Sequence, residues 1–332
     1  MRAKIYITQP VAESALQRLR TIADVEFNSD PLHIPSVEEL ISAVKRCDIL
    51  YCLLHDRVTK AVIEANPSLK AIVSTAITPA NIDTVTATAR GIPVTVIPAS
   101  LLNDATADLA WALLMAVARR VAEADRMARA GTIPGSQSSY FEGAGVSGKT
   151  LGLLGVGGVG REMAARARGY KMQTLYHDPR RLSAADEAEL RLTWVGFDEL
   201  FSRSDFLSLH VALNPATQRL VDARTLALMK PSAFLINTAR GPIVDEQALI
   251  VALQGRTIAG AGLDVFATEP DIDARLLALP NVVATAHMGS AVRELREVMA
   301  HIVVDNISAV LEGQQAPNCW NPGVYAQSRR TV

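Results

Sequence analysis

Residues 151–166 read LGLLGVGGVGREMAAR, and this stretch decides the fold of the chain. An apolar run typical of a buried strand leads into a glycine-rich turn and then into helix-forming residues. The glycines have the spacing G-x-G-x-x-G: the first permits a tight turn, the second lets the backbone approach a pyrophosphate, and the third lets the helix pack close to the strand. The helix N-terminus offers N–H groups to the anion. The stretch therefore predicts a dinucleotide site formed by Gly155, Gly157, Gly158, Val159 and Gly160.

An acidic residue follows the next predicted strand, residues 173–177. Asp178 lies eighteen residues beyond Gly160, about where a carboxylate accepts hydrogen bonds from the adenosine ribose hydroxyls. A carboxylate there repels a 2′-phosphate, so we expect NAD as the cofactor. Arg180 and Arg181 lie close enough to weaken that preference, and NADP stays possible.

The whole-chain composition is that of an ordinary globular protein. Of 332 residues, 33 are Lys or Arg and 34 are Asp or Glu, for a net charge of −1, so nothing indicates a nucleic-acid or membrane partner. The longest apolar stretch, residues 109–118, is shorter than the ~20 residues of a membrane span and predicts a buried helix. The cysteines show neither metal-ligand spacing nor a disulfide pattern, which predicts no metal site and a reducing, cytoplasmic location.

Two α/β series flank a long predicted helix, and each calls for a parallel sheet with right-handed crossovers. The strands predicted in the first series are 4–7, 24–27, 49–53, 71–74 and 93–96, and its helices are 11–22 and 37–47. The second of these helices opens with a capping-box pair, Ser36 and Glu39. After it we predict a helix over 103–130 capped at Asn103-Asp104, a loop at 131–148, the second series at 150–286, and a helix at 291–312 that ends at Gly313.

Polar residues follow three strands of the second series. The strand at 234–237 leads to Arg240, the strand at 258–264 leads to Glu269, and the strand at 282–285 leads to His287. Open parallel sheets bind their ligands beyond the carboxyl ends of the strands. The sequence therefore predicts that these three side chains share a site with the dinucleotide.

These motifs together resemble the D-isomer-specific 2-hydroxyacid dehydrogenases, most closely the glyoxylate/hydroxypyruvate reductase branch. The matching stretches span nearly the whole chain and are DATADL at 104–109, the glycine turn, INTARGP at 236–242, GLDVF at 262–266, Glu269-Pro270 and His287. The resemblance implies a Rossmann NAD-binding domain, residues 102–290, inserted in a flavodoxin-like substrate-binding domain, residues 1–101 plus 291–332. It also implies a homodimer that reduces a small 2-oxo acid with NAD(P)H to the D-2-hydroxy acid, and catalyses the reverse oxidation.

The residue types fit that chemistry. Hydride addition to a 2-oxo acid leaves an alkoxide, and His287 can deliver the proton near neutral pH. A carboxylate partner holds the ring and favours imidazolium, a role that the resemblance gives to Glu269. Arg240 offers a planar fork that can bind the substrate carboxylate and polarise the adjacent carbonyl. Nicotinamide carries the hydride.

The resemblance also implies contacts made by less reactive residues. Asp264 is placed near the nicotinamide carboxamide, and Val211 lines the cofactor through its backbone, although Ala212 stands where a proline is usual. The remaining residues placed at the cofactor are Thr238, Ala239 and Gly289, with Arg240 and His287 beside them. The residues placed at the substrate are Ile77, Thr78, Arg240, His287 and Ser290.

One stretch departs from the family pattern. The usual substrate loop reads G-V-G-x-D-N-I-D, whereas residues 76–83 read AITPANID. Thr78 therefore occupies a glycine position, where it would be strained if that position needs positive φ, and Pro79 removes a backbone donor. We expect a different loop path and an altered choice of 2-oxo acid.

Two other functions stay open. A dehydrogenase of another small anion, such as phosphite, would use the same fold; formate dehydrogenases of this fold have Gln where Glu269 stands, which argues against formate. An NAD(H)-sensing regulatory protein could keep all three catalytic residues, but the chain shows no recognisable partner-binding extension.

Overall fold

The computed structural model describes residues 2–132, 135 and 137–328, and the chain divides into two compact units. One unit combines Met1–Leu101 with Val292–Val332, and the other is Leu102–Ala291. The second junction lies one residue from the predicted bound at 290/291. Which unit binds the substrate stays a prediction.

In chain order the strands are β1 Ala3–Ile7, β2 Ala23–Phe27, β3 Ile49–Cys52, β4 Ala71–Ser74, β5 Val94–Thr95, β6 Thr150–Leu154, β7 Gln173–His177, β8 Leu192–Trp194, β9 Phe206–Leu209, β10 Phe234–Asn237, β11 Gly260–Leu263 and β12 Val282–Ala284. The helices are α1 Glu13–Ile22, α2 Val37–Val44, α3 Lys60–Glu64, α4 Thr84–Ala89, α5 Asn103–Ala118, α6 Val121–Arg129, α7 Gly158–Gly169, α8 Ala184–Leu190, α9 Phe197–Arg203, α10 Ala223–Leu228, α11 Glu246–Gln254, α12 Ala274–Leu277, α13 Arg293–Leu311 and α14 Val324–Ser328. Short 3-10 turns cover Ala99–Leu102 and Gly241–Ile243.

The first unit is built on a five-stranded parallel sheet in the order β2-β1-β3-β4-β5. Strands β3 and β4 are buried along their whole length, as the centre of a sheet with helices on both faces requires. The predicted capping box of α2 is present, since Ser36 Oγ accepts from Glu39 N at 3.2 Å and Glu39 Oε2 accepts from Ser36 N at 2.7 Å. Helix α13 ends before Gly313, whose φ of +72° fits its predicted C-cap role. Helix α14 was not predicted.

The second unit has a seven-stranded parallel sheet in the order β12-β11-β10-β9-β6-β7-β8. From β6 the chain runs outward through β7 and β8, then crosses to β9 and continues the other way. The carboxyl ends are in register, with Leu154 opposite Leu209, Leu209 opposite Asn237, and Asn237 opposite Leu263. The reversal beside β6 and β9 is the topological switch point at which such sheets bind ligands. This arrangement confirms the predicted pair of doubly wound parallel-sheet domains.

The prediction of one long helix over 103–130 is wrong in two respects. The helix breaks after α5, because Arg120 adopts a left-handed conformation with φ of 54°. The Arg120 guanidinium donates to both oxygens of Glu123, at 2.7 and 3.0 Å, and lies 3.8 Å above the ring of Phe141. These contacts stabilise a turn that no helix propensity indicates.

The predicted cap is the second error. Leu102 is the N-cap of α5, without a side-chain hydrogen bond, and the Asn103 side chain lies against Gly158. By length and composition alone Ala99–Ala118 could cross a membrane. Its residues Ala107, Ala110 and Leu114 are, however, completely buried, and the helix packs on β10 and β11. It is the core helix of this unit, as predicted for residues 109–118.

Candidate active site

The glycine turn between β6 and α7 has a separate physical reason for each motif glycine. Gly155 has a φ of +90°, and a Cβ there would lie 2.9 Å from the carbonyl of His210. A Cβ on Gly160 would lie 2.4 Å from the oxygen of Gly155, so the third glycine lets the helix approach its own turn. Gly157, in contrast, has no protein atom within 4 Å of its Cβ position. The open space beside Gly157, at the start of a 12-residue helix, fits a pyrophosphate.

The other predicted residues of this turn are packed from behind. A Cβ on Gly158 would lie 2.2 Å from the Asn103 amide nitrogen, so α5 also requires a glycine here. Val159 packs on the core of the unit. The side chain of Val211 lies beside Gly155, at 3.0 Å from its Cβ position. These contacts hold the backbone of the turn in a fixed position.

Asp178 directly follows β7 and is tied to the glycine turn. Its Oδ2 accepts from the backbone N–H of Val156 at 3.2 Å, and its Oδ1 accepts from Arg180 N at 3.0 Å. The carboxylate is therefore held beside the glycine turn, as a ribose-binding acid needs to be.

The side chain of Asn237 shapes the turn after β10. Asn237, 1% exposed, accepts from Ala239 N at 3.0 Å and donates to the Arg240 carbonyl at 3.1 Å. Arg240 Nη1 donates to the Ala239 carbonyl at 2.6 Å. Burial lowers the pKa of the Arg240 guanidinium from its usual value, and the negative charge of Glu269 acts against that shift. The hydroxyl of Thr238 is buried without a hydrogen-bond partner.

Gly241 lets the Arg240 turn lie directly on the segment after β11. A Cβ on Gly241 would lie 1.8 Å from the carbonyl oxygen of Phe266 and 2.6 Å from Ala267 N. Ala267 N in turn donates to Glu246 Oε2 at 2.9 Å. The two segments that carry Arg240 and Glu269 are thus in backbone contact.

Glu269 and His287 form a close pair. Nδ1 of His287 lies 2.7 Å from Oε2 of Glu269. The His287 side chain is 23% exposed and that of Glu269 is 21% exposed. The second oxygen of Glu269 accepts from Phe266 N at 2.9 Å, which fixes the carboxylate plane. The pair is oriented and still reachable by a small molecule.

His287 itself has a left-handed backbone, with φ of 50°. Asp264, 1% exposed, holds the turn around it: its carboxylate accepts from Met288 N at 2.8 Å, Gly289 N at 2.9 Å and Thr285 Oγ1 at 2.6 Å. The Asp264 carbonyl accepts from His287 N at 2.9 Å. The contact with the cofactor that the family resemblance implies for Asp264 stays a prediction, and the structure shows these partners of Asp264 around the histidine turn.

The predicted substrate residues divide between the units. Ser290 lies in the turn after Gly289 in the second unit, with Arg240, Glu269 and His287. Ile77 and Thr78 follow β4 in the first unit. Thr78 is not among the residues with positive φ, so the strain considered for a β-branched residue at this glycine position is absent. The turn is closed by Ile82 N, which donates to the Pro79 carbonyl at 3.0 Å.

The supporting residues Asn237, Gly241, Glu246 and Thr285 were not predicted. Asn237 had a usable signal, because an Asn at a strand end commonly bonds to backbone two residues on. For the other three, the decisive contacts are with backbone or side-chain atoms distant in sequence.

Comparisons with known proteins point in one direction. Residues 111–289 match the family model described as D-isomer specific 2-hydroxyacid dehydrogenase, NAD binding domain. A glyoxylate reductase from Thermococcus litoralis is 43% identical over 332 residues, 99% of each chain. The structure of the TT0316 protein from Thermus thermophilus is 39% identical with a TM-score of 0.87, covering 96% of this chain and 99% of that one. The NADPH-dependent glyoxylate/hydroxypyruvate reductase of Sinorhizobium meliloti, in complex with NADP and malonate, is 28% identical with a TM-score of 0.79, covering 97% and 98%.

Proposed function

This chain belongs to the D-isomer-specific 2-hydroxyacid dehydrogenases, and from that premise we propose that it reduces glyoxylate or hydroxypyruvate, with Arg240, Glu269 and His287 as its catalytic residues. It is an NAD(P)H-dependent oxidoreductase acting on small 2-oxo acids. The choice between these two acids, the preference for NADH over NADPH and the three residue roles are the proposal.

The observation that carries the residue roles is the 2.7 Å pair between His287 and Glu269. With Nδ1 directed at the carboxylate, Nε2 is the ring nitrogen that must exchange a proton with the substrate oxygen. Glu269 stabilises the positive charge on the ring before transfer, and its own position is fixed by Phe266 N. The pair can thus supply a proton as the carbonyl oxygen becomes an alkoxide.

Arg240 is the residue that we propose binds the substrate carboxylate. One of its N–H groups is used on the Ala239 carbonyl, which aims the guanidinium and leaves its remaining donors to pair with a carboxylate bidentately. Because the group is partly buried, its interaction with an anion is screened less than at the surface.

The residues present fit a nicotinamide dinucleotide. The open side of Gly157, the orphaned hydroxyl of Thr238 and the tethered Asp178 are what such a ligand needs from this sheet edge. When bound, the cofactor supplies the hydride to the carbonyl carbon. The protein supplies orientation, the proton at His287 and the positive charge at Arg240.

The substrate loop is part of the proposal. Pro79 has no N–H, and Thr78 carries a side chain where relatives have hydrogen, so Thr78 and Pro79 set which 2-oxo acid is accepted. Thr78→Gly removes no strain, and any change in selectivity then reports on the side chain itself. An unchanged ranking of 2-oxo acids in this variant would contradict the assignment.

The proposal extends to the assembly and the location of the protein. The family resemblance favours a homodimer, which analytical ultracentrifugation at micromolar concentration measures directly. Cys47, Cys52 and Cys319 are all free thiols, which favours a cytoplasmic location.

The deciding experiment is a steady-state panel of glyoxylate, hydroxypyruvate, pyruvate, longer 2-oxo acids and, in the oxidative direction with NAD, phosphite. We expect the highest kcat/KM on glyoxylate or hydroxypyruvate, and higher with NADH than with NADPH. His287→Gln should lower kcat by about 10²–10⁴-fold while NADH affinity stays within a few-fold. Tight NADH binding without turnover of any 2-oxo acid would overturn the proposal and favour a sensor.

A further inference from the structure

Two consecutive arginines follow Asp178, and only one of them is held by a carboxylate in the described part of the chain. Arg181 Nε donates to Glu187 Oε1 at 2.8 Å and its Nη2 donates to Oε2 at 2.9 Å. This is the bidentate fork geometry that makes Arg–carboxylate pairs specific. The neighbouring Arg180 shows no side-chain hydrogen bond or ion pair of this kind among the described residues.

Glu187 is well anchored for that task. Its side chain is 14% exposed, and Oε1 also accepts from the Tyr176 hydroxyl at 2.7 Å. The hydroxyl in turn accepts from Leu182 N at 2.9 Å. The hydrogen bonds from Arg181 and then from Tyr176 lower the pKa of Glu187 to about 2, so the carboxylate stays charged at any working pH.

Trp194 connects this pair to the ribose-binding residue. Its Nε1 donates to the Asp178 carbonyl at 3.4 Å, and its ring lies 5.7 Å below the guanidinium of Arg181. The Trp194 indole therefore contacts both the Arg181 guanidinium and the backbone of Asp178. In NADP-binding sheets of this topology, an arginine near the ribose-binding acid accommodates the 2′-phosphate.

We propose that Glu187 is a specificity-determining residue for the cofactor. By binding Arg181, it keeps one of the two guanidinium groups near Asp178 from pairing with an adenosine 2′-phosphate. Arg180 is left as the available cation, so the enzyme uses NADH first and NADPH second. The inference deepens the cofactor preference of the proposed function, and it concerns nucleotide binding alone.

The test measures binding without turnover. Isothermal titration of the whole protein with 5′-AMP and with adenosine 2′,5′-bisphosphate gives two Kd values, and their ratio isolates the 2′-phosphate. Glu187→Gln removes the charge but keeps an amide oxygen for Tyr176. We expect this variant to raise the preference for the 2′-phosphate about five-fold, the effect of one freed surface cation on a phosphate.

The neighbouring residues give matched controls. Arg181→Gln alone should leave the ratio unchanged, Arg180→Gln should lower it about five-fold, and Glu187→Gln with Arg181→Gln should show no gain. Asp186→Asn removes the same charge one residue earlier on α8, where it faces Arg161 at 3.5 Å, and should leave the ratio unchanged.

Several results would overturn the inference: an unchanged ratio in Glu187→Gln, an equal gain in Asp186→Asn, or an equal loss in Arg181→Gln and Arg180→Gln. If Glu187→Gln does not fold, the inference is still tested by comparing the Kd ratios of Arg180→Gln and Arg181→Gln. Absence of turnover with every 2-oxo acid of the panel would contradict the proposed function but leave these binding ratios interpretable.

Discussion

A Gly241→Ala substitution would add a methyl group where the protein has no room for one. The new Cβ would lie 1.8 Å from the Phe266 carbonyl oxygen, whereas real Cβ contacts essentially never fall below 3.0 Å. The Arg240 turn and the segment that leads to Glu269 would therefore have to separate by about 1.2 Å, the difference between those two distances. The obstacle is backbone, so no side-chain rotation can relieve it.

The displacement acts directly on the chemistry. Arg240 precedes Gly241, and Phe266 N is a hydrogen-bond donor to Glu269, so the carboxylate-binding group moves relative to the proton donor. A misplacement of about 1 Å costs on the order of 100-fold in rate, and we expect that loss in kcat/KM for glyoxylate. Overpacking should also cost about 1–3 kcal/mol of the free energy of unfolding.

The assay combines kinetics, binding and thermal unfolding. Titration with 5′-AMP should be unaffected in Gly241→Ala, because the glycine turn and Asp178 are elsewhere on the sheet edge. Gly169→Ala is the matched control, since its Cβ would meet nothing within 4 Å, and it should keep full activity. If Gly241→Ala retained kcat/KM within three-fold of the parent, the backbone contact would not be what aligns the site.

Three other residues allow direct tests: a glycine of the turn, the proposed carboxylate ligand and a buried histidine. Gly157→Ala should leave the unfolding midpoint unchanged, because no protein atom is near, and should weaken NADH binding at least about ten-fold. Arg240→Lys should raise the substrate KM and lower kcat through loss of the bidentate fork, with NADH affinity nearly unchanged. Burial lowers the pKa of His210 to about 3 from its usual 6.5, so the unfolded chain binds the extra proton and stability should fall as pH drops from about 6.5 towards 3. His210→Gln should flatten that part of the pH profile.

Each of these has a contrary result. Normal NADH affinity in Gly157→Ala would place the pyrophosphate elsewhere. A collapse of NADH binding in Arg240→Lys would mean that Arg240 serves the cofactor instead of the substrate. An unfolding midpoint in His210→Gln with the same slope against pH as the parent would assign the acid sensitivity to other groups.

Regular elements were predictable where periodicity decides them. Strands β4, β7 and β10 were predicted to the residue, because each is a short β-rich run that a polar residue directly follows. The break after α5 was missed, since it depends on Arg120 reaching Phe141 across a loop. The local sequence shows the hydrophobic periodicity of a helix, but it does not predict a contact with a residue about twenty positions away.

For the site, the reactive side chains could be predicted from the sequence, but the residues that hold them in place could not. The side chains of Arg240, Glu269 and His287 follow strand ends, and parallel strands collect their ends at one edge. Gly158 is different: its motif position gives no reason for a glycine, and the reason is the Asn103 side chain that occupies its Cβ position. Sequence patterns identify which groups react, but they do not identify the residues that position those groups.

The turn at His287 shows why that support matters. A left-handed backbone at a residue other than glycine costs of the order of 1–3 kcal/mol, and a buried carboxylate without donors costs several more. The hydrogen bonds of this turn offset both costs: the left-handed bend directs Met288 N and Gly289 N at Asp264, and these donors satisfy a carboxylate whose residue is 1% exposed. The same bend points the imidazole at Glu269. Asp264 therefore acts on the proton donor itself, whatever it also contributes to the cofactor.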